Sequence, residues 1–302
     1  MTKEGIPKIA GIVCWTILGL AISSFTGYFL GARYQPESFL GTPDYFLSVL
    51  DVRLERFDRA KPPRIVILGG SYAEFMGEDA GVYNLSIAAG HPQEDYMIVK
   101  RYCAPDDIAI HVLALRDLIE LHHSPRWYAA STFWRRVYLS RLFLQKQLGI
   151  APDPKFRRSP SLFELQSLRC AIGGRTVPYF RGLLDQVTRF AEAAYKRPIS
   201  LDLLKKLRAC HPNILFVIHP TLPLRRIDGN MKLANEIASV IDAQEEMKQL
   251  LEASDLPCLD LSNTIQFDEY VDLLHVMPST SRKLLRTIQV YMASQNSNSI
   301  HG

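Results

Sequence analysis

Five short apolar runs set the limits on how this chain can fold: Ile65–Leu68, Val82–Ile87, Ile108–Leu113, Ile214–Ile218 and Cys258–Leu261. They are rich in β-branched residues and alternate with stretches of helical pattern, roughly Tyr72–Phe75, Pro92–Tyr102, Met231–Ala253 and Thr280–Met292. That alternation predicts an α/β domain with a parallel sheet and flanking helices. In such sheets, sites form at the carboxyl ends of the strands. The chain has 302 residues, 47% of them hydrophobic and 22% charged, which suffices for a substantial core.

The N-terminus follows another rule. No charged residue occurs from Ile9 to Ala32, and the stretch carries Ile12, Val13, Trp15, Ile17, Leu18, Leu20, Ile22, Phe25, Tyr28, Phe29 and Leu30. As a helix it can cross a hydrocarbon layer of about 30 Å. Lys3 and Lys8 precede it and Arg33 follows, so the positive-inside tendency places the N-terminus in the cytoplasm and the rest outside. A cleaved leader ending near Ala21 and Ser23 is the competing reading. The charge-free run continues well past that point, which favours an uncleaved anchor. The expected order is a cytoplasmic tip (1–8), a transmembrane anchor (9–32), a stalk (33–63) and a main domain (64–302). The stalk holds an amphipathic stretch, Tyr45, Phe46, Val49, Leu50, Val52, Leu54 and Phe57, and closes at Lys61-Pro62-Pro63, where a helix cannot continue.

Between about 117 and 198 the alternation breaks into an insertion expected to be helical and aromatic, with Trp127, Tyr128, Phe133, Trp134 and Tyr138 among its rings. From Leu121 to Arg181 eleven Arg and Lys face two acids, Asp153 and Glu164, so this stretch holds the chain's positive excess. Three readings stay open. It packs as a cap with its arginines in water, lies against anionic headgroups, or binds an anionic glycan. The five cysteines show no CxxC spacing; outside the cytoplasm they can pair or serve as small buried hydrophobes. No metal or cofactor is expected.

Two small motifs carry the chemistry. Gly69-Gly70-Ser71 ends the first apolar run in the setting of a tight turn, and Asp272-Leu273-Leu274-His275 lies just before the last helical stretch. A serine hydroxyl is a weak nucleophile until an imidazole takes its proton, and a carboxylate must hold that imidazole in the right tautomer. Ser71, His275 and Asp272 supply those three parts.

These residues resemble the SGNH (GDSL-like) hydrolases, above all the membrane-anchored branch that modifies cell-envelope glycans with acyl groups. The likeness rests on Arg64-Ile-Val-Ile-Leu-Gly-Gly-Ser71-Tyr-Ala-Glu, on Val82-Tyr-Asn84-Leu-Ser-Ile-Ala-Ala-Gly90 and on Asp272-Leu-Leu-His275, and it covers 64–115 and 201–292. It implies an SGNH-like, flavodoxin-like sheet. Ser71 becomes the nucleophile, His275 the general base and Asp272 its orienting carboxylate. Gly70 stands where the family often has Asp. The oxyanion hole would use the Ser71 N–H with that of Ala89 or Gly90. The family's third donor, an asparagine after the next strand, has no counterpart in Val112-Leu-Ala-Leu-Arg116-Asp117. Arg116 is the candidate substitute, and one such donor is worth about 3–4 kcal/mol in the transition state.

The resemblance implies an acyl-serine intermediate with an acyl donor and a glycan or small ester as substrates. Water as acceptor makes an esterase, a sugar hydroxyl an O-acyltransferase. A membrane partner protein is compatible with it, and nucleic acid is not expected. The alternative is a non-catalytic SGNH-fold protein that binds or assembles an envelope polysaccharide. Asn84 is expected to anchor structure rather than substrate, and His122-His123 to be a surface pair. His219, after a strand, is a candidate pocket residue.

Overall fold

The computed structural model describes residues 5–30, 45–74, 76–87, 92–119, 131–147, 170–172, 175–177, 188–189, 191–192, 199–222, 234–270 and 274–299. The chain divides into two compact units, one of Met1–Arg56 with Arg126–Ser159 and a larger one of Phe57–Pro125 with Pro160–Gly302.

The larger unit is built on a five-stranded parallel sheet, so the α/β expectation holds. Its strands are β1 (Ile65–Leu68), β2 (Val82–Asn84), β3 (Ile108–Leu113), β6 (Ile214–Ile218) and β7 (Cys258–Asp260). They lie in the order β2-β1-β3-β6-β7, which is 2-1-3-4-5 when the sheet's own strands are counted. Leu68 stands beside His111, His111 beside Phe216, and Phe216 beside Cys258. β3 and β6 are buried almost throughout, which explains why their sequences read as unbroken apolar runs rather than alternating ones. Between β1 and β3 the direction of winding reverses, and a crevice opens at the carboxyl ends of such a pair.

The surrounding helices are α3 (Ser71–Glu74), α4 (Pro92–Tyr102), α5 (Leu115–Leu118), α7 (Asp202–Cys210), α8 (Ala234–Glu252) and α9 (Pro278–Ser299). α4 has Glu94 and Asp95 in its first turn and Lys100 and Arg101 in its last, matching the helix dipole at both ends. α9 opens on Pro278, whose missing N–H costs nothing in a first turn. At the amino ends of β1 and β3, Arg64 donates from Nε and Nη2 to the two oxygens of Asp107 at 3.0 and 2.6 Å. The same guanidinium lies 3.7 Å from the Phe57 ring centroid. Burial alone would raise the Asp107 carboxyl, but the donors from Arg64 and Ala104 hold it below its ordinary value. This two-point clamp fixes the end of the sheet opposite Ser71.

One expectation needs correction. The insertion is not wholly helical, because β4 (Cys170–Ile172) and β5 (Arg175–Val177) pair antiparallel as a separate two-stranded sheet. Gly173-Gly174 separates them in sequence, and a two-glycine spacer between short runs carrying Ile172 on one side and Thr176 and Val177 on the other is a hairpin signal that outweighs the helical look of the flanks.

The smaller unit contains α1 (Gly5–Leu30) and α6 (Thr132–Gln147), which pack against each other, and most of α2 (Tyr45–Arg59). The segment expected as a stalk thus carries a helix whose Leu47, Leu50 and Leu54 are buried. Asp51 on the same helix is also buried and accepts from Arg135 Nε at 3.0 Å and Arg136 Nε at 3.2 Å. In α1 every residue from 12 to 23 is exposed. Among the described residues no helix is long and apolar enough to cross a membrane. The side chains of α1 are described over 11–23 and 25–27, a shorter run than the about 20 residues a crossing takes.

Candidate active site

β1 delivers the chain into Gly69, whose φ of +131° belongs to glycine. A Cβ there would sit 2.7 Å from the Val112 carbonyl oxygen of β3, so the backbone of the turn lies directly on the neighbouring strand. The Gly69 carbonyl accepts from the Ile87 N–H at 3.0 Å, which ties the turn to the run after β2 as well. Ser71 then opens α3, half-buried at the β1–β3 crevice. Heading a helix, its N–H has no intrahelical acceptor, the setting in which a backbone donor can serve a developing negative charge.

His275 reaches Ser71 from more than two hundred residues away, and its Nε2 stands 2.7 Å from the Ser71 Oγ. The loop that carries it is closed at its base. Tyr270 and Val276 form an antiparallel bridge, and the Met277 N–H donates to the Glu269 carbonyl at 2.9 Å. Glu269 adds the side-chain clamp, accepting from Thr280 Oγ1 at 3.0 Å and Lys283 Nζ at 2.8 Å on α9. Its carboxyl is held below the usual range, first by the Gln266 N–H and then by Lys283. A half-buried imidazole on a braced loop can rotate little and still exchange protons with a bound substrate.

The residue after the serine is one that sequence reasoning missed. Tyr72 is buried, and its hydroxyl donates to Asp117 Oδ2 beyond the end of β3. The same carboxylate oxygen accepts the Ala114 N–H at 2.7 Å. This explains Gly70, because a Cβ at 70 would meet the Tyr72 ring at 2.7 Å. The serine turn is therefore held at two points, against β3 by the close approach of Gly69 to Val112 and against α5 by the Tyr72 hydroxyl on Asp117. No local signal announces this, since the partners are 45 positions apart and meet only through strand order. Asp117 also occupies the region after β3 where a third oxyanion donor was sought. A carboxylate accepts and does not donate.

The other expected residues fall as follows. Asn84 is fully buried; its Nδ2 donates to the Ala73 and Glu74 carbonyls at 2.9 and 3.1 Å, and its Oδ1 accepts from Ser86. It holds the carbonyl end of α3 and so works as the expected anchor. His219 is buried after β6, its ring 5.2 Å from that of Tyr72. Arg116 lies in α5 by its backbone, and its side chain is outside the described residues. Asp272, Ala89, Gly90, His122 and His123 also lie outside them.

A different histidine sits deep in the sheet. His111 on β3 is fully buried, its Nε2 3.1 Å from Asp95 Oδ2 on α4, and burial pushes the Asp95 carboxyl up. Burial likewise pushes the Cys103 thiol up to about 12 and Cys258 to about 11, so neither offers a thiolate near neutrality. Among the described residues no group of three or more His, Cys, Asp or Glu could hold a metal ion. In comparisons with known proteins, no family model, curated protein or solved structure matches the chain.

Proposed function

We propose that this chain is a membrane-anchored serine acyl esterase or O-acyltransferase of SGNH type, acting on cell-envelope glycans through an acyl-Ser71 intermediate. The observation that carries the reading is the 2.7 Å contact between Ser71 Oγ and His275 Nε2. The strand order, which is the flavodoxin-like one, and the place of Ser71 at the switch point support it.

In the first half-reaction Ser71 Oγ attacks the carbonyl carbon of an acyl donor while His275 Nε2 takes the hydroxyl proton. The resulting oxyanion meets the Ser71 N–H. His275 returns the proton to the departing alkoxide oxygen as its bond to the acyl carbon breaks. In the second half-reaction an incoming hydroxyl gives its proton to His275 and attacks the acyl carbon, and Ser71 leaves with that proton restored. Asp272 is proposed as the acceptor for the other imidazole nitrogen.

The anchor belongs to the same proposal. A helix apolar all round is stable where something apolar surrounds it, and the exposed run 12–23 of α1 carries no charge to satisfy water. Hydrocarbon supplies that surrounding and places the catalytic unit outside the cytoplasm, against envelope glycans.

The test uses the full chain in detergent micelles with p-nitrophenyl acetate as donor and soluble polysaccharide as acceptor. Release of nitrophenolate that Ser71→Ala abolishes is the expected result. Acetyl appearing on the polysaccharide identifies a transferase, acetate alone an esterase. A second reading, a non-catalytic glycan-binding protein, is favoured by Asp117 standing where a third oxyanion donor was sought. Polysaccharide binding without turnover by folded protein would support it.

A further inference from the structure

The smaller unit exposes a second apolar surface that the catalytic reading does not use. On α6, Phe133, Trp134 and Val137 are exposed, and the two rings meet edge to face at 5.0 Å between centroids. With about 100° between successive helix positions, these three and Arg141 fall within one arc of roughly 100°. Arg141 is exposed on that arc, its guanidinium 5.9 Å from the Tyr138 ring centroid. The opposite side of the helix is committed inward: Arg135 and Leu139 are buried, with Arg135 held by Asp51. α6 therefore cannot roll to hide its aromatic arc.

Two observations identify what covers this arc. α6 packs against α1, whose charge-free run is exposed from 12 to 23 and is flanked by half-buried positions at Gly11, Phe25 and Gly27. α6 follows the anchor in the chain, so on the anchor reading it lies on the outer side, at the level of the carboxyl end of α1. The segment around it is strongly basic, with eleven cationic side chains against two acids from Leu121 to Arg181. An apolar arc with aromatic rings and an adjoining arginine is the pattern of a helix lying in a membrane interface, its cations near lipid phosphates.

We infer that α6 is a second lipid contact: Phe133, Trp134 and Val137 enter the outer interface of an anionic bilayer beside α1, and Arg141 meets its phosphates. The inference rests on the reading of α1 as an anchor. It gives the smaller unit two lipid contacts, the anchor α1 and the aromatic arc of α6. Trp15 lies ten positions before Phe25, about 15 Å deeper along a helix axis, so the two tryptophans report different depths.

The experiment places the full chain in vesicles of phosphatidylcholine and phosphatidylglycerol brominated either near the glycerol or deep in the acyl chain. Trp15→Phe with Trp127→Phe leaves Trp134 as reporter, and Trp127→Phe with Trp134→Phe leaves Trp15. The expected result is loss of Trp134 emission with the shallow bromines and loss of Trp15 emission with the deep ones. Phe133→Asp with Val137→Asp should restore Trp134 emission while Trp15 stays quenched. Quenching of Trp15 with Trp134 untouched by either lipid overturns the α6 contact and leaves the anchor standing, pointing to a protein cover for the arc. Emission from both tryptophans untouched overturns the anchor and this inference together.

Discussion

Two histidines of the larger unit each stand beside an oxygen, and they differ in almost everything that follows from where they stand. His275 lies 2.7 Å from the Ser71 hydroxyl, half-buried at the carboxyl ends of the strands, on a loop braced by Glu269. His111 lies 3.1 Å from Asp95, without solvent contact, in the middle of β3. At the rim a proton can pass between imidazole, serine and substrate. In the middle of the sheet the same imidazole has no route to a substrate, and what it faces is the buried Asp95 carboxylate on α4. Place relative to the sheet, rim or centre, separates the two, and the proposed function makes only the rim histidine a base.

The largest difference should appear on removing each ring. His275→Ala is expected to lower esterase turnover on the order of 10⁴-fold or more with little change in melting temperature. His111→Ala should retain turnover per folded molecule but lose about 3 kcal/mol of stability in urea, because Asp95 is left buried without its partner. Adding Asp95→Leu to a His111→Phe change should recover most of that loss, since an apolar pair needs no partner. If the two single variants behave alike, the contrast between rim and core fails.

A smaller effect tests how the rim is built. Gly70→Asp alone should cost about 1–3 kcal/mol, as an added Cβ is driven into the Tyr72 ring. Combining it with Tyr72→Leu, which clears that ring, should return the serine turn to its place, read as recovered turnover. Failure of the double variant would mean that the Tyr72–Asp117 contact is needed for more than space.

The smallest effect is one of pH. Glu269 is held below its ordinary value of 4.5, so its contribution is complete above the unfolded value and fades as the pH falls through the folded one. Asp95 is raised above 3.8 by burial, so its sign is opposite: its contribution is complete below 3.8 and declines as the pH rises through the folded value. Acid should therefore loosen the His275 loop before the centre of the sheet. Amide hydrogen exchange of 266–283 against 108–113, between about pH 3.5 and pH 6, measures this order.

Much of the larger unit was legible because its strands are buried on both faces. Ile65–Leu68, Ile108–Leu113 and Ile214–Ile218 appear at the ends that their apolar runs suggested. Ser71 and His275 were legible by type and setting, and the fold brings them together. The Tyr72–Asp117 bond was not, because nothing near Tyr72 in sequence says which strand will lie beside β1. His111 stands as one polar residue in an apolar run, and its partner comes from a helix whose register on the sheet no local pattern states. The β4–β5 hairpin was hidden by a basic, aromatic neighbourhood that reads as helix, although its two glycines were in plain view.

The proposed chemistry depends on activation of Ser71 by His275. Intact-mass measurement of the full-length chain after treatment with a fluorophosphonate, followed by peptide mapping, tests it most directly. A single adduct on Ser71 is expected, absent from Ser71→Ala and strongly slowed in His275→Ala but not in His111→Ala. An adduct elsewhere, or labelling indifferent to His275 in folded protein, would contradict it.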